Sequence, residues 1–378
     1  MVIKNVNSIE KCEIDFTKGN YKFGEENVMG DFVNPIAIYG HNGSGKSAVL
    51  KAVQQFILLL LSPVEMLTPF IVNDFLFREY LKDGKKDQEK VKGSVCFEFD
   101  IGDAKFIYFL ETSSEGKISK EYLKKDDSFY FERNDNRYVF QGKNGNINDY
   151  SPLVPLLRLL ASSEITDPTI QSVFAYLGSF TFVDLPYINR GSFVTSRLFN
   201  NMSTNDLLVN KSQEVKELLK QYDDFPIYTI AKDNRVLPNG LASPRYNLVF
   251  DDNGFRGTLP LEFMSVGMRN QSTLLSIIAA MPKDSALFID EADLALHPSA
   301  IKSFLKVLHD KRIQVVMTLH NTYALQMLRP DQVYFAKWSK GFSNYCRLSK
   351  IYPNVREVNN IEKMYLSSVF DEALEEHA

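Results

Sequence analysis

Apolar positions along this chain follow two periods. The continuous run Ile36-Ala37-Ile38-Tyr39 predicts a short buried strand, and residues 48–55 after it predict a helix. The run Phe56-Ile57-Leu58-Leu59-Leu60-Leu61 continues that helix as a buried stretch. Alternation of apolar and polar residues over 93–101, 104–110 and 118–123 predicts half-buried strands of an antiparallel sheet. Residues 153–160 and 204–219 carry helical spacing instead. Two further apolar runs, 285–289 and 315–319, end in Asp290-Glu291 and in His320-Asn321. Buried parallel strands have this form, with polar groups delivered at the C-terminal edge where ligands bind in open α/β sheets.

The changes of pattern divide the chain into three. Residues 1–150 hold the first strand–helix pair and the alternating strands; 151–225 form a short helical insertion; 226–378 return to strands and helices. No repeat is visible, and the insertion lacks the long heptads of a coiled coil. The charged run 82–90 reads as a loop between elements.

The turn between the first strand and helix is Gly40-His41-Asn42-Gly43-Ser44-Gly45-Lys46-Ser47, which fits the phosphate-loop pattern at every fixed position. A glycine-rich turn opening a helix aims backbone N–H groups and the positive helix end at an anion. The expected ligand is ATP, with Gly40, Asn42, Gly43, Ser44, Gly45, Lys46, Ser47 and Ala48 as contacts. Lys46 reaches the β/γ-phosphates and the Ser47 hydroxyl ligates Mg²⁺. Asp290 then holds the Mg²⁺ shell through water, and Glu291 is the expected general base. An apolar strand ending in two acids is by itself also a solvated strand end; the phosphate loop decides between the two readings.

Around the acidic strand stand Ser265-Val266-Gly267-Met268-Arg269, Asp293-Leu294-Ala295-Leu296-His297-Pro298 and His320. In order with the phosphate loop, they resemble the signature, D-loop and switch histidine of ABC/SMC-type ATPases. The opening residues 3–16 resemble the first strands of an SMC head. The tail segments 329–335, 349–350 and 360–366 resemble the bacterial AAA-15/AAA-21 group, which includes abortive-infection ATPases and the ATPase half of OLD-family nucleases. The resemblance covers both ends of the chain and is weak through the middle third. It implies an α/β P-loop NTPase of ABC/SMC-head type with an antiparallel β lobe and a short helical insertion. It also implies that Ser265 and Gly267 cap the γ-phosphate of a second copy in a head-to-tail homodimer, and that His320 contacts the γ-phosphate. Under the same resemblance His297 orders the D-loop turn, and Arg269 contacts phosphate or the other subunit. No glutamine is assigned to the Q-loop, since Gln54 and Gln55 lie on the first helix.

Composition narrows the partners. The 378 residues carry a net charge of −4, so any nucleic-acid contact needs a local basic patch. The three cysteines, Cys12, Cys96 and Cys346, form no C-x-x-C pair, which argues against zinc and a disulfide framework and fits a reducing cytoplasm. Met1-Val2-Ile3-Lys4 enters a strand-like segment at once, and the longest apolar run is too short for a bilayer, so neither a leader nor a membrane is expected.

No Toprim, HNH or PD-(D/E)XK pattern occurs in the 88 residues after Asp290, so an effector nuclease or toxin is expected on a separate polypeptide. The resulting expectation is a sensor and scaffold ATPase of a bacterial anti-phage defence system. A RecF-like DNA-repair clamp and an ATP-locked, non-hydrolysing assembly scaffold remain the alternatives.

Overall fold

The computed structural model describes residues 1–67, 92–113, 115–163, 167–186, 194–196, 203–221, 226–236, 238, 240–252, 255–295, 301–356, 359–367 and 369–370. The charged run 82–90, His297 and the last eight residues therefore lie outside the described residues.

The fold is α/β, as expected. Among the described residues its spine is a 15-stranded mixed sheet. At the centre five strands run parallel, in the spatial order Val333–Ser339, Ile36–Tyr39, Gln314–Thr318, Ala286–Asp290 and Thr181–Asp184. The strand expected before the phosphate loop is thus flanked on both sides by strands from the last quarter of the chain. The acidic strand and the strand ending near His320 are neighbours, as their connection through the Ile301–Lys311 helix predicts. Thr181–Asp184 comes from within 151–225, whose remaining described elements are mostly helical. Its Phe182-Val183 core is too short to carry a period, so the sequence pattern does not announce it.

Strand alternation divides the core in two. Ile36, Ile38, Phe288 and Val316 face the Lys46–Leu61 helix and its buried Val49, Val53, Phe56 and Leu60. Ala37, Tyr39, Leu287, Ile289, Val315 and Met317 face the opposite layer, where the Val266–Ala280 and Ile301–Lys311 helices pack. Both faces are covered, which is why these strands read as unbroken apolar runs.

One wing of the sheet is the expected antiparallel meander, Lys92–Ile101, Ala104–Ser113, Ile118–Lys125, Ser128–Asn134, Arg137–Phe140 and Lys143–Asn146. Its inner face buries a charged pair. Arg133 and Glu121 are wholly buried, 3.7 Å apart. Glu121 accepts from the Leu156 and Leu157 amides at the start of the Leu156–Ser162 helix and from the Tyr108 hydroxyl. Arg133 donates to the carbonyls of Asp135, Pro152 and Val154. The pair joins the meander to the segment that follows it and fills the hydrogen-bonding capacity both groups need when buried.

A separate three-stranded antiparallel sheet, Tyr228–Val236, Ala242–Asp252 and Phe255–Pro260, leads into the Val266–Ala280 helix. The helices Thr204–Asn210 and Ser212–Leu219 bury Leu207, Leu208, Val215 and Leu219 in the same core as that helix.

Candidate nucleotide site

The phosphate loop is held by close packing as much as by its own turn. Gly45 caps the Lys46–Leu61 helix at φ 91°, and a side chain there would collide with Ser343 Oγ, 1.9 Å from the position of a Cβ. At Gly40 a Cβ would stand 2.3 Å from the Ala336 carbonyl oxygen. Gly43 has open space around it but sits at φ 80°, where glycine carries no steric cost. Tyr345 Oη donates to the Gly45 carbonyl at 2.7 Å, and Ser343 Oγ lies 2.7 Å from Ser8 Oγ. Ser8, Ser343 and Tyr345 thus fix the loop from segments far away in sequence.

Lys46 is buried at the floor of the loop, donating to the carbonyls of Gly40 at 2.9 Å and His41 at 3.3 Å. Burial pulls its pKa down, while Glu291, Asp290 and Asp293 pull it back up. Ser44 Oγ is buried with no hydrogen-bond partner. Asn42 and Gly43 are exposed at the loop's tip, and Ala48 follows in the first helical turn, its amide bonded to the Gly45 carbonyl.

Beneath the loop, the parallel register aligns a polar row across adjacent strands. Asp184 pairs with Asp290, and Thr318 follows on the next strand. Asp290 Oδ1 accepts from Ser47 Oγ and from Thr318 Oγ1, both at 2.7 Å. The structure therefore brings together Ser47 and Asp290, the residues read from sequence as the metal pair, 243 positions apart. The donor set is oxygen only, a hydroxyl and a carboxylate beside a phosphate loop, which is the chemistry Mg²⁺ takes.

Glu291 starts the turn after the strand with φ 53°, a left-handed conformation rare for a side chain of this kind. Its amide donates to Thr318 Oγ1 at 2.8 Å, which holds that backbone in place. His320 Nε2 lies 3.9 Å from Glu291 Oε1, so the expected base and the expected switch histidine face each other at the sheet's C-terminal edge. Both side chains are part-exposed and open to a ligand.

Ser265 and Gly267 are placed differently. Both are exposed at the N-terminus of the Val266–Ala280 helix, where Ser265 Oγ accepts from the Met268 amide as an N-cap. Arg269, two residues on, donates to Asn205 Oδ1 at 3.3 Å and so touches the helical segment.

Three site residues escaped the sequence reading. Thr318 is the last strand residue before Leu319-His320, and only the sheet register shows that it faces Asp290. Asp184 ends a four-residue strand; its Oδ1 is buried without a hydrogen-bond partner, and burial, then Asp290, raise its pKa. Four residues within a segment of helical spacing carry no pattern that separates them from their surroundings. Asp293 was read only as part of the D-loop, yet its Oδ2 accepts from the amides of His320 at 2.7 Å and Asn321 at 2.5 Å.

Among the described residues no helix is long and apolar enough to cross a membrane. No curated protein matches the sequence. Among solved structures the chain is similar to the SMC head domain from Thermotoga maritima, at 15% identity over 92% of this chain and 97% of that one, with a TM-score of 0.45. It is likewise similar to an Smc head bound to the C-terminal winged-helix domain of ScpA, at 14% identity over 91% and 95% of the two chains and a TM-score of 0.47. A third similar structure is an Smc head with an extended coiled coil bound to the C-terminal domain of ScpA derived from Pyrococcus furiosus (11% identity, 92% and 96% covered, TM-score 0.42). The family model described as "AAA domain, putative AbiEii toxin, Type IV TA system" matches residues 36–326. That span is well over half of the chain and runs from the strand before the phosphate loop to just past His320, and the chain belongs to that family.

Proposed function

We propose that this chain binds ATP with Mg²⁺ at the phosphate loop and hydrolyses it slowly. The observation that carries the reading is the hydrogen-bonded set Ser47, Asp290 and Thr318 under the loop, with Lys46 on its floor and the Glu291–His320 pair at its rim. Lys46 exchanges its loop carbonyls for the β/γ-phosphate oxygens and balances their charge. Mg²⁺, when bound through Ser47 and Asp290, supplies further neutralisation of the phosphates. Glu291 accepts the proton of the attacking water, and His320 donates to the γ-phosphate. The Glu291 carboxylate is part-exposed and lies 3.9 Å from His320 Nε2, where it can meet a water at the rim.

A second copy completes the site in this reading. Ser265 and Gly267 are exposed on a helix N-terminus, a surface suited to capping an anion. In a head-to-tail C2 dimer two such surfaces cover two ATP molecules. Lys46→Ala is expected to abolish ATP binding, and Ser265→Arg to leave binding by one chain while blocking closure. Mixing the two variants should restore part of the ATPase activity, because one composite site in the heterodimer is intact. Heterodimers that form and stay inactive would show that each chain works alone.

The biological role in this reading is a nucleotide-dependent sensor and scaffold subunit of a bacterial anti-phage defence system, controlling a separate nuclease or toxin. The family's description, which names a putative toxin and a Type IV toxin–antitoxin system, supports the defence part of this reading. The segments 1–150, 151–225 and 226–378 serve as first lobe, partner-docking insertion and second lobe. Expressed alone, the chain should leave growth and nucleic acids intact, and a co-purified nuclease or toxin should bind differently to its ATP-bound and nucleotide-free states. Toxicity from this chain alone, lost on mutation of a carboxylate outside the ATP site, overturns the assignment of the effector to a partner.

A further inference from the structure

The turn that follows the acidic strand carries two carboxylates with different surroundings. Glu291 opens toward the rim, whereas Asp293, two residues later, turns back beneath the His320 loop. One oxygen of Asp293 accepts the amides of both His320 and Asn321, at 2.7 and 2.5 Å. Successive backbone N–H groups converging on one anion form a concave nest, and a carboxylate there makes charge-assisted hydrogen bonds. Asn321 is gripped from its other side as well. Its carbonyl accepts from Tyr39 Oη at 3.2 Å, and its side chain caps the Thr322–Gln326 turn through the Tyr323 amide. Tyr39 belongs to the strand that enters the phosphate loop. The His320 peptide is therefore suspended between the acidic turn and the phosphate-loop strand, with its imidazole 3.9 Å from Glu291.

We propose that Asp293 is the positioning residue that sets His320 against Glu291. Its carboxylate touches neither expected reacting atom; it acts through the two amides it accepts. Because Glu291 and Asp293 share one turn, closed by the Leu294 amide on the Glu291 carbonyl at 3.0 Å, a shift of that turn moves the base and the histidine together. The turn thus keeps the two rim groups in register. This inference rests on the ATPase reading for its catalytic consequence, and on the hydrogen bonds alone for the placement of His320.

The test compares Asp293→Ala, which removes the acceptor, with Asp293→Asn, which keeps an acceptor oxygen. Asp293→Ala should lower kcat for ATP about 10–100-fold, the scale for a displaced catalytic group, with ATP affinity changed less than about threefold. Asp293→Asn should recover kcat to within about threefold of wild type. In a His320→Ala background, Asp293→Ala should cost less than a further threefold, because the group it positions is gone. An additive loss in that background, or a fall in ATP affinity matching the fall in kcat, overturns the proposal. Should the alanine variant fail to fold, Asp293→Glu takes its place: it keeps the charge, moves it by one methylene, and should still lose at least about tenfold in kcat. A readout independent of hydrolysis is hydrogen–deuterium exchange of a peptide spanning residues 319–322. Its amides should exchange about tenfold faster or more in Asp293→Ala than in wild type, and unchanged exchange sinks the proposal. A wild-type chain that binds but never turns over ATP would defeat the hydrolytic reading, while the exchange experiment would still decide the role of Asp293.

Discussion

Glu291→Gln is expected to bind ATP as the wild-type chain does and to hydrolyse it about 10²–10⁴-fold more slowly. Glutamine matches glutamate in shape and keeps the backbone amide that donates to Thr318, so the left-handed turn at this position should survive. What disappears is the ability to accept a proton at the rim. The loss corresponds to about 3–5 kcal/mol of transition-state stabilisation, while the interactions of Lys46, Ser47 and Asp290 with nucleotide stay in place. Under the dimer reading, the variant should also accumulate as an ATP-bound dimer, visible by size-exclusion chromatography with ATP and absent without it. Single-turnover hydrolysis separates this from slow product release. Turnover close to wild type would move the base elsewhere, with His320, 3.9 Å away, next in line.

The largest effect on stability is expected far from that site. Glu121→Ala should destabilise the fold by about 3–5 kcal/mol, because it leaves the Arg133 guanidinium buried without its counter-charge. Three donors lose their acceptor at the same time: the Tyr108 hydroxyl and the amides of Leu156 and Leu157. Replacing both members, Glu121→Leu with Arg133→Met, should recover part of the loss, since an apolar pair carries no desolvation cost. Recovery should stay incomplete by about 1–3 kcal/mol, because the helix amides and the carbonyls of Asp135, Pro152 and Val154 still lack partners. Urea denaturation followed by circular dichroism measures both. A loss below about 1 kcal/mol for the single variant would mean that water reaches Arg133 and the pair is not sealed.

How much of this was legible in the sequence follows from how each residue is held. Gly40 to Ser47 is a contiguous motif whose function is written in its own spacing, and Asp290-Glu291 and His320 each close an apolar run that identifies its strand end. Ser265 was legible as an N-cap, and it is one; the signature role of Ser265 and Gly267 comes from the resemblance alone. Thr318, Asp184 and Asp293 were not legible, because their meaning lies in register. A threonine ending a strand is ordinary until the parallel pairing sets it beside Asp290. Asp184 hides in four residues of strand within a segment of helical pattern. Asp293 gains its role only from a loop that arrives 27 residues later. The meander was readable because one of its faces is buried and the other is not, which imposes a period of two; the Glu121–Arg133 pair inside it was not, since charged residues on an inward face look like errors in that period.

The packing of Gly45 against the Phe342–Arg347 strand also bears on how the chain is made. Tyr345 and Gly45 are 300 residues apart in sequence, and Ser343 occupies the space a side chain at Gly45 would need. During synthesis the glycine-rich turn leaves the ribosome early and waits for its neighbouring strand; at about 5–20 residues per second this delay is about 15–60 s. For most of that interval the Ile36–Tyr39 strand has neither of its eventual neighbours, since Gln314–Thr318 and Val333–Ser339 come only near its end. The wall behind the phosphate loop is therefore missing from a nascent chain until the Phe342–Arg347 strand has been translated. A product truncated ahead of Phe342 carries the whole phosphate-loop motif and still lacks the wall that shapes it.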